Sequence, residues 1–183
     1  MRSAFLAACL VAGPALATGI EITVDGQFTE GVIRIDLLED VAPNHVARIT
    51  ALAEDGFYDG IYFHRVIDGF MAQTGDGVWG KVEGGDLRRA GTGGSDLPNL
   101  QAEFSDIPFD RGIVGMARSQ DSDSANSQFF IMFDEGYFLN GQYTVVGRVT
   151  EGLEVLDLIK RGDGSTLQVT GEPDRIVSVA VTE

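Results

Sequence analysis

Tyr62-Phe63-His64-Arg65-Val66-Ile67-Asp68-Gly69-Phe70-Met71-Ala72-Gln73-Thr74-Gly75-Asp76 is the stretch on which the fold turns. Alternation with a period of two sets Phe63, Arg65 and Ile67 on one face and His64 and Val66 on the other, as in a short strand. Asp68-Gly69 is a turn signal, and beyond it Met71 and Gln73 fall on alternate positions of a second strand. A guanidinium and a carboxamide are thereby expected beside apolar side chains on one sheet surface. That describes a shallow pocket with fixed hydrogen-bond donors and no nucleophile.

Working outward, the same alternation marks Glu21 to Val24 and Gly31 to Leu37 as an opening hairpin turned at Asp25-Gly26. Pro43 to Glu54 reads as a helix: proline in the first turn, Val46, Ile49, Leu52 and Ala53 at helical spacing, and Gly56 as the stop. The glycine-rich run from Gly75 to Gly94 reads as a long surface loop. Gly112 to Met116, Gln128 to Phe133 and Thr144 to Val149 read as strands. Gly152 to Lys160 reads as a second helix, with Leu153, Leu156 and Ile159 on one stripe and Gly162 as its end. Arg175 to Thr182 closes the chain as a last strand. Many short strands and two separated helices point to a mainly β fold, and suggest an antiparallel barrel plugged by helices, since closure removes exposed edges. The 24 glycines among 183 residues agree with a turn-rich fold.

Residues 1–17 carry the marks of a leader: Arg2, an almost wholly apolar run from Ala4 to Leu16, and Ala15-Leu16-Ala17 as a small-x-small cleavage site. Cleavage after Ala17 would leave Thr18 first and one domain over residues 18–183. A lipoprotein reading through Cys9 is set aside, because apolar and small residues continue well past it. Without Cys9 the processed chain holds no cysteine, and hence no disulfide. The apolar run is short for a membrane span, which takes about 20 residues, so the processed protein is expected to be exported and free of the membrane. A net charge of −15 argues against nucleic-acid binding, which needs a basic face.

A second stretch, Gly115-Met116-Ala117-Arg118, is followed by Ser127-Gln128-Phe129-Phe130-Ile131-Met132-Phe133. Taken in order, FHRVIDGFMAQTGD (63–76), GMARSQDSDSANSQFFIMF (115–133) and FLNGQYTVVGRV (138–149) resemble the cyclophilin family of peptidyl-prolyl cis-trans isomerases, and the resemblance runs from about Ile20 to the C-terminus. It implies a closed barrel of eight antiparallel strands with a helix at each end. It also implies an enzyme that accelerates rotation about Xaa-Pro bonds in proline-containing polypeptides, with no cofactor and no metal. Arg65 and Gln73 would be catalytic, the first as donor to the proline nitrogen and the second near the rotating carbonyl. Phe70, Met71, Phe130 and Leu139 would form the proline socket, Ala117 and Arg118 would run beside the peptide, Gln128 would steady the arginine, and Phe138 and Tyr143 would line the far side. The expected setting is a monomer in the periplasm of a Gram-negative cell, assisting the folding of exported proteins. A chaperone or adaptor that merely holds proline segments in the same groove is the alternative.

The sequence departs from the family pattern at three positions. Arg118 stands where many members have asparagine, Phe138 where many have a tryptophan that contacts cyclosporin, and Thr74 where a glycine is usual. Activity is expected to survive, with cyclosporin binding weakened or lost. Singly, these residues have plainer readings: Arg65 as a surface ion-pair arginine, Gln73 as structural, the phenylalanines as core. Their ordered combination carries the functional reading. A serine-hydrolase reading through His64 fails, since no Gly-x-Ser-x-Gly elbow surrounds any serine, and His45 and His64 alone make a zinc site improbable. Gly75 to Lys81 mimics phosphate-binding glycine motifs, but no strand–helix unit opens at it. Asp121 to Asn126 mimics a calcium loop without its glycine and closing glutamate.

Overall fold

In a computed structural model, which describes residues 18–163 and 169–183, the alternating segments form one sheet of eight antiparallel strands. The leader expected over residues 1–17, Cys9 included, lies outside the described residues. The strands are β1 (Gly19–Asp25), β2 (Glu30–Leu37), β3 (Arg65–Ile67), β4 (Met71–Thr74), β5 (Ile113–Met116), β6 (Phe129–Met132), β7 (Val145–Glu151) and β8 (Arg175–Thr182). Their order across the sheet is β3-β4-β6-β5-β7-β2-β1-β8.

That order corrects the closed barrel to a curled, open sheet with β3 and β8 as its two edges. The reason lies at the outer edge of β3. There the carbonyls of His64 and Val66 accept from Val169 and Gly162, in the irregular segment after the second helix. Among the described residues, β8 meets the run before β3 across this seam, through a single Tyr62–Arg175 bridge and backbone bonds from Gly60 to Ile176, from Phe63 to Asp174 and from Ile176 to Ile61. The seam is stitched, but no ladder crosses it.

The first helix, α1 (Pro43–Glu54), has the predicted bounds and buries Val46, Ile49, Leu52 and Ala53. The second, α2 (Leu153–Leu158), is shorter than its apolar stripe suggests. Ile159 is already extended and buried, and the next amide, Lys160 N–H, is taken by the buried Asp174 carboxylate at 2.9 Å. A tertiary bond thus ends the helix before the glycine does. α2 lies close over β2: a Cβ on Gly31 would come within 2.6 Å of Val155.

The two faces of the sheet bury separate cores. Ile22, Val24, Ile33, Ile35, Phe129, Ile131 and the helices make the larger one. Met71, Phe109, Ile113, Phe130, Met132, Leu139 and Val145 make a smaller one on the other face. The Phe129-Phe130 pair therefore points one ring into each. Phe63 is corrected here: it packs in the larger core with Val66, because the strand begins only at Arg65.

Candidate active site

Cross-strand register builds the site. Arg65 stands opposite Gln73, Gln73 opposite Phe130, and Phe130 opposite Gly115, one row across four strands on the face of the smaller core. Met71, two residues from Gln73, shares that face. Gly115 is small for a reason: a Cβ there would lie 2.5 Å from the Phe130 ring and 2.6 Å from Phe109. The room it leaves lets Phe130 stack on Phe109, with ring centres 5.8 Å apart and planes at 22°. Tyr143 meets Phe130 edge-on. A single 3₁₀ turn, Tyr137–Leu139, brings Leu139 inward and leaves Phe138 two-thirds exposed at the rim, 5.3 Å from the ring of Phe70.

These side chains enclose a cleft of about 290 Å³. Arg65, Gln73 and Arg118 supply its polar wall, while Phe70, Met71, Phe130, Leu139, Phe138 and Tyr143 supply the apolar floor and rim beside Ala117. Ten of the eleven expected site residues thus line one cavity. The eleventh, Gln128, stands one step behind. Its carboxamide oxygen accepts from Gln73 Nε2 at 2.9 Å, and its own Nε2 donates to the Gly93 carbonyl at 2.7 Å.

This chain of amides orients the guanidinium. Arg65 Nη1 donates to Gln73 Oε1 at 3.2 Å and lies 4.0 Å from the Met71 sulfur. Among the described residues Arg65 forms no ion pair. Partial burial pulls it below its usual range, opposed by Tyr143, yet a guanidinium stays charged at neutral pH. Among the described residues, the cleft that Arg65 lines has no carboxylate, imidazole or thiol in its wall. Proton transfer and covalent attack thus lack their usual agents there, whereas a charged hydrogen-bond donor stands in the wall.

His64 lies on the opposite face from Arg65, 3% exposed, and neither ring nitrogen makes a well-formed hydrogen bond. Burial lowers it to about 4, against the pull of Asp76, so it is neutral at pH 7. Thr74, the family departure without a sequence explanation, is fully buried and donates its hydroxyl to the Tyr62 carbonyl at 3.1 Å, tying β4 to the run before β3.

Two features escape the motif reading. Asp76 is wholly buried. Its Oδ1 accepts from Val78 and Trp79, and its Oδ2 from Gly91 and Gly93, all between 2.7 and 3.0 Å. Burial would raise this carboxyl, but the four N–H donors outweigh it and hold the group below its usual range. Asp76 thereby shapes the loop whose Gly93 carbonyl holds Gln128. The second feature is a cleft of about 390 Å³ beyond Gln73, Ala117 and Arg118, bordered by Gly91, Thr92, Gly93, Ser119, Ser124, Asn126 and Gln128. The Gly-Thr-Gly-Gly run at 91–94 was its only local signal.

Residues 20–181 match the model of the cyclophilin-type peptidyl-prolyl cis-trans isomerase family. A probable peptidyl-prolyl cis-trans isomerase of Brucella suis is 50% identical over 188 residues, covering 99% of this chain and 96% of that protein. Peptidyl-prolyl cis-trans isomerase B of Bacillus subtilis is 36% identical, covering 81% and 94%. Among solved structures, a cyclophilin from Hirschia baltica is similar with a TM-score of 0.70 at 28% identity, covering 88% of this chain and 73% of the other. A cyclophilin-type isomerase from Cryptosporidium parvum, solved in the presence of the dipeptide Ala-Pro, gives 0.73 at 25% identity, covering 90% and 99%.

Proposed function

The chain belongs to the cyclophilin-type peptidyl-prolyl cis-trans isomerase family, and we propose that its isomerase activity rests on Arg65 acting as a fixed donor to the proline nitrogen of the substrate. Amide resonance sets a barrier of about 18–20 kcal/mol to rotation about an Xaa-Pro bond. Crossing it needs no proton removal and no covalent intermediate, only a site that binds the twisted amide better than either planar form. In the twisted state the nitrogen becomes pyramidal and gains a lone pair. A charged donor aimed there stabilises the transition state more than the ground state.

The observation that carries this reading is the Arg65 guanidinium, without an ion-pair partner among the described residues and steadied by Gln73 and Gln128 in a cleft floored by apolar side chains. Phe70, Met71, Phe130 and Leu139 receive the proline ring. Gln73 lies beside the rotating carbonyl, and the backbone at Ala117-Arg118 runs along the substrate. Phe138 and Tyr143 complete the far wall. The substrates are proline-containing segments of exported proteins, met by a monomer in the periplasm after removal of residues 1–17. A holding role without catalysis is disfavoured by the retained arginine.

Magnetisation-exchange NMR on an Ala-Pro peptide tests this. Accelerated exchange by the wild type is expected. Peptide binding without acceleration would leave a proline-segment holder instead. Mass spectrometry of the exported protein should find Thr18 first; a diacylglyceryl Cys9 would replace the soluble periplasmic form with a lipoprotein.

A further inference from the structure

Among the described residues, neither cleft has an acidic side chain in its lining, although the chain carries 28 Asp and Glu against 13 Lys and Arg. Arg118 stands in the wall that the two clefts share. Its guanidinium is held in place from three sides. Nε and Nη2 donate to the Gln142 carbonyl at 3.0 and 2.8 Å, and Nη1 donates to the Ser119 carbonyl at 2.9 Å. The group lies 4.4 Å over the Tyr143 ring. Carbonyls and a ring face orient a cation without cancelling its charge, and among the described residues Arg118 forms no ion pair. A strongly acidic molecule thus keeps a rigid, uncompensated cation at the junction of its two clefts, with one Nη2 hydrogen still to give.

We infer that Arg118 makes this enzyme select substrates bearing an acidic residue near the isomerising proline, with that carboxylate received in the second cleft. The inference rests on the proline binding in the first cleft. Because the clefts adjoin and an extended peptide advances about 3.3 Å per residue, the acidic residue lies within about three positions of the proline. The acidic body of the protein repels acidic peptides as a whole, but that field is screened over about 10 Å at 0.1 M salt. A glutamate far from the proline therefore gains nothing, and the preference is confined to one position.

The test is kcat/KM, by exchange NMR, for peptides with a single Ala-Pro and either Glu or Gln at each neighbouring position. One position should favour Glu by about threefold to tenfold, the scale of a partly exposed ion pair. The Glu-to-Gln ratio should fall to near one in Arg118→Gln, survive in part in Arg118→Lys, and shrink in high salt. Equal rates for Glu and Gln at every position, with both peptides accelerated, would overturn the inference and leave the isomerase reading intact. A preference that persists in Arg118→Gln would overturn it too. Failure to accelerate any peptide would instead remove the reading on which it rests.

Discussion

Replacing Asp76 with asparagine should cost this protein more than almost any other change of one atom. The carboxylate is wholly buried and each oxygen accepts two backbone N–H groups, from Val78 and Trp79 on one side and from Gly91 and Gly93 on the other. Asparagine keeps one oxygen and sets an NH₂ group against the other pair of donors. Two charge-assisted bonds are lost, at about 1.5–3 kcal/mol each, and two buried N–H groups are left facing a donor. Allowing for relaxation, the loss is about 3–5 kcal/mol, or roughly 10 °C in Tm for a chain of this size. Urea unfolding at pH 7 measures it directly. Function should suffer as well, since the Gly93 carbonyl anchors Gln128 and, through Gln73, Arg65; kcat/KM should fall about tenfold at temperatures where the variant stays folded. The pH dependence provides an independent check. The Asp76 carboxyl is held below its ordinary value, so its stabilising contribution is complete above that value and is lost as pH falls through the lowered one. The asparagine variant should lack that acid-limb loss. A variant within about 1 kcal/mol of wild type would refute the reasoning, because it would mean the loop holds its shape without the carboxylate.

Three further outcomes are expected. His64 is neutral in the fold with a pKa lowered to about 4, so the unfolded chain takes up its proton first; stability should decline as pH falls from about 6.5 towards 4, and His64→Gln should flatten that slope in urea titrations. Gly115→Ala drives a methyl into the Phe109 and Phe130 rings, and should cost about 1–3 kcal/mol in thermal unfolding and raise KM as Phe130 shifts into the cleft proposed to receive the proline. Cyclosporin should inhibit the wild type weakly, and Phe138→Trp should tighten it in calorimetric titration, because an indole adds surface and an N–H donor at the exposed rim.

What the sequence makes legible is what its local period controls. β3, β4 and a turn at Asp68-Gly69 follow from alternation, but the pairing of Arg65 with Gln73 requires Phe70 to join the turn, so that Ile67 meets Met71, and the period alone does not supply that. α1 follows from its proline, its stripe and its stop. The expected site residues converge because most of them sit on adjacent short strands or on the turn that follows. The features that escape are set by distant partners. The barrel stays open because Gly162 and Val169 take the edge of β3, and α2 ends early because Asp174 captures Lys160 N–H. Phe63 follows the larger core once the strand is seen to start after it. The structural work of Asp76 is invisible in sequence, since its donors lie up to seventeen residues away in a loop without a period.

The most direct test of Arg65 is Arg65→Ala, with peptide affinity and on-enzyme exchange rate measured separately by NMR. A donor that acts only in the twisted state predicts an exchange rate lower by about 10²–10³, with affinity for the planar peptide changed little. An exchange rate near that of the wild type, or a loss confined to binding, would contradict a catalytic arginine and leave Arg65 as part of the groove wall.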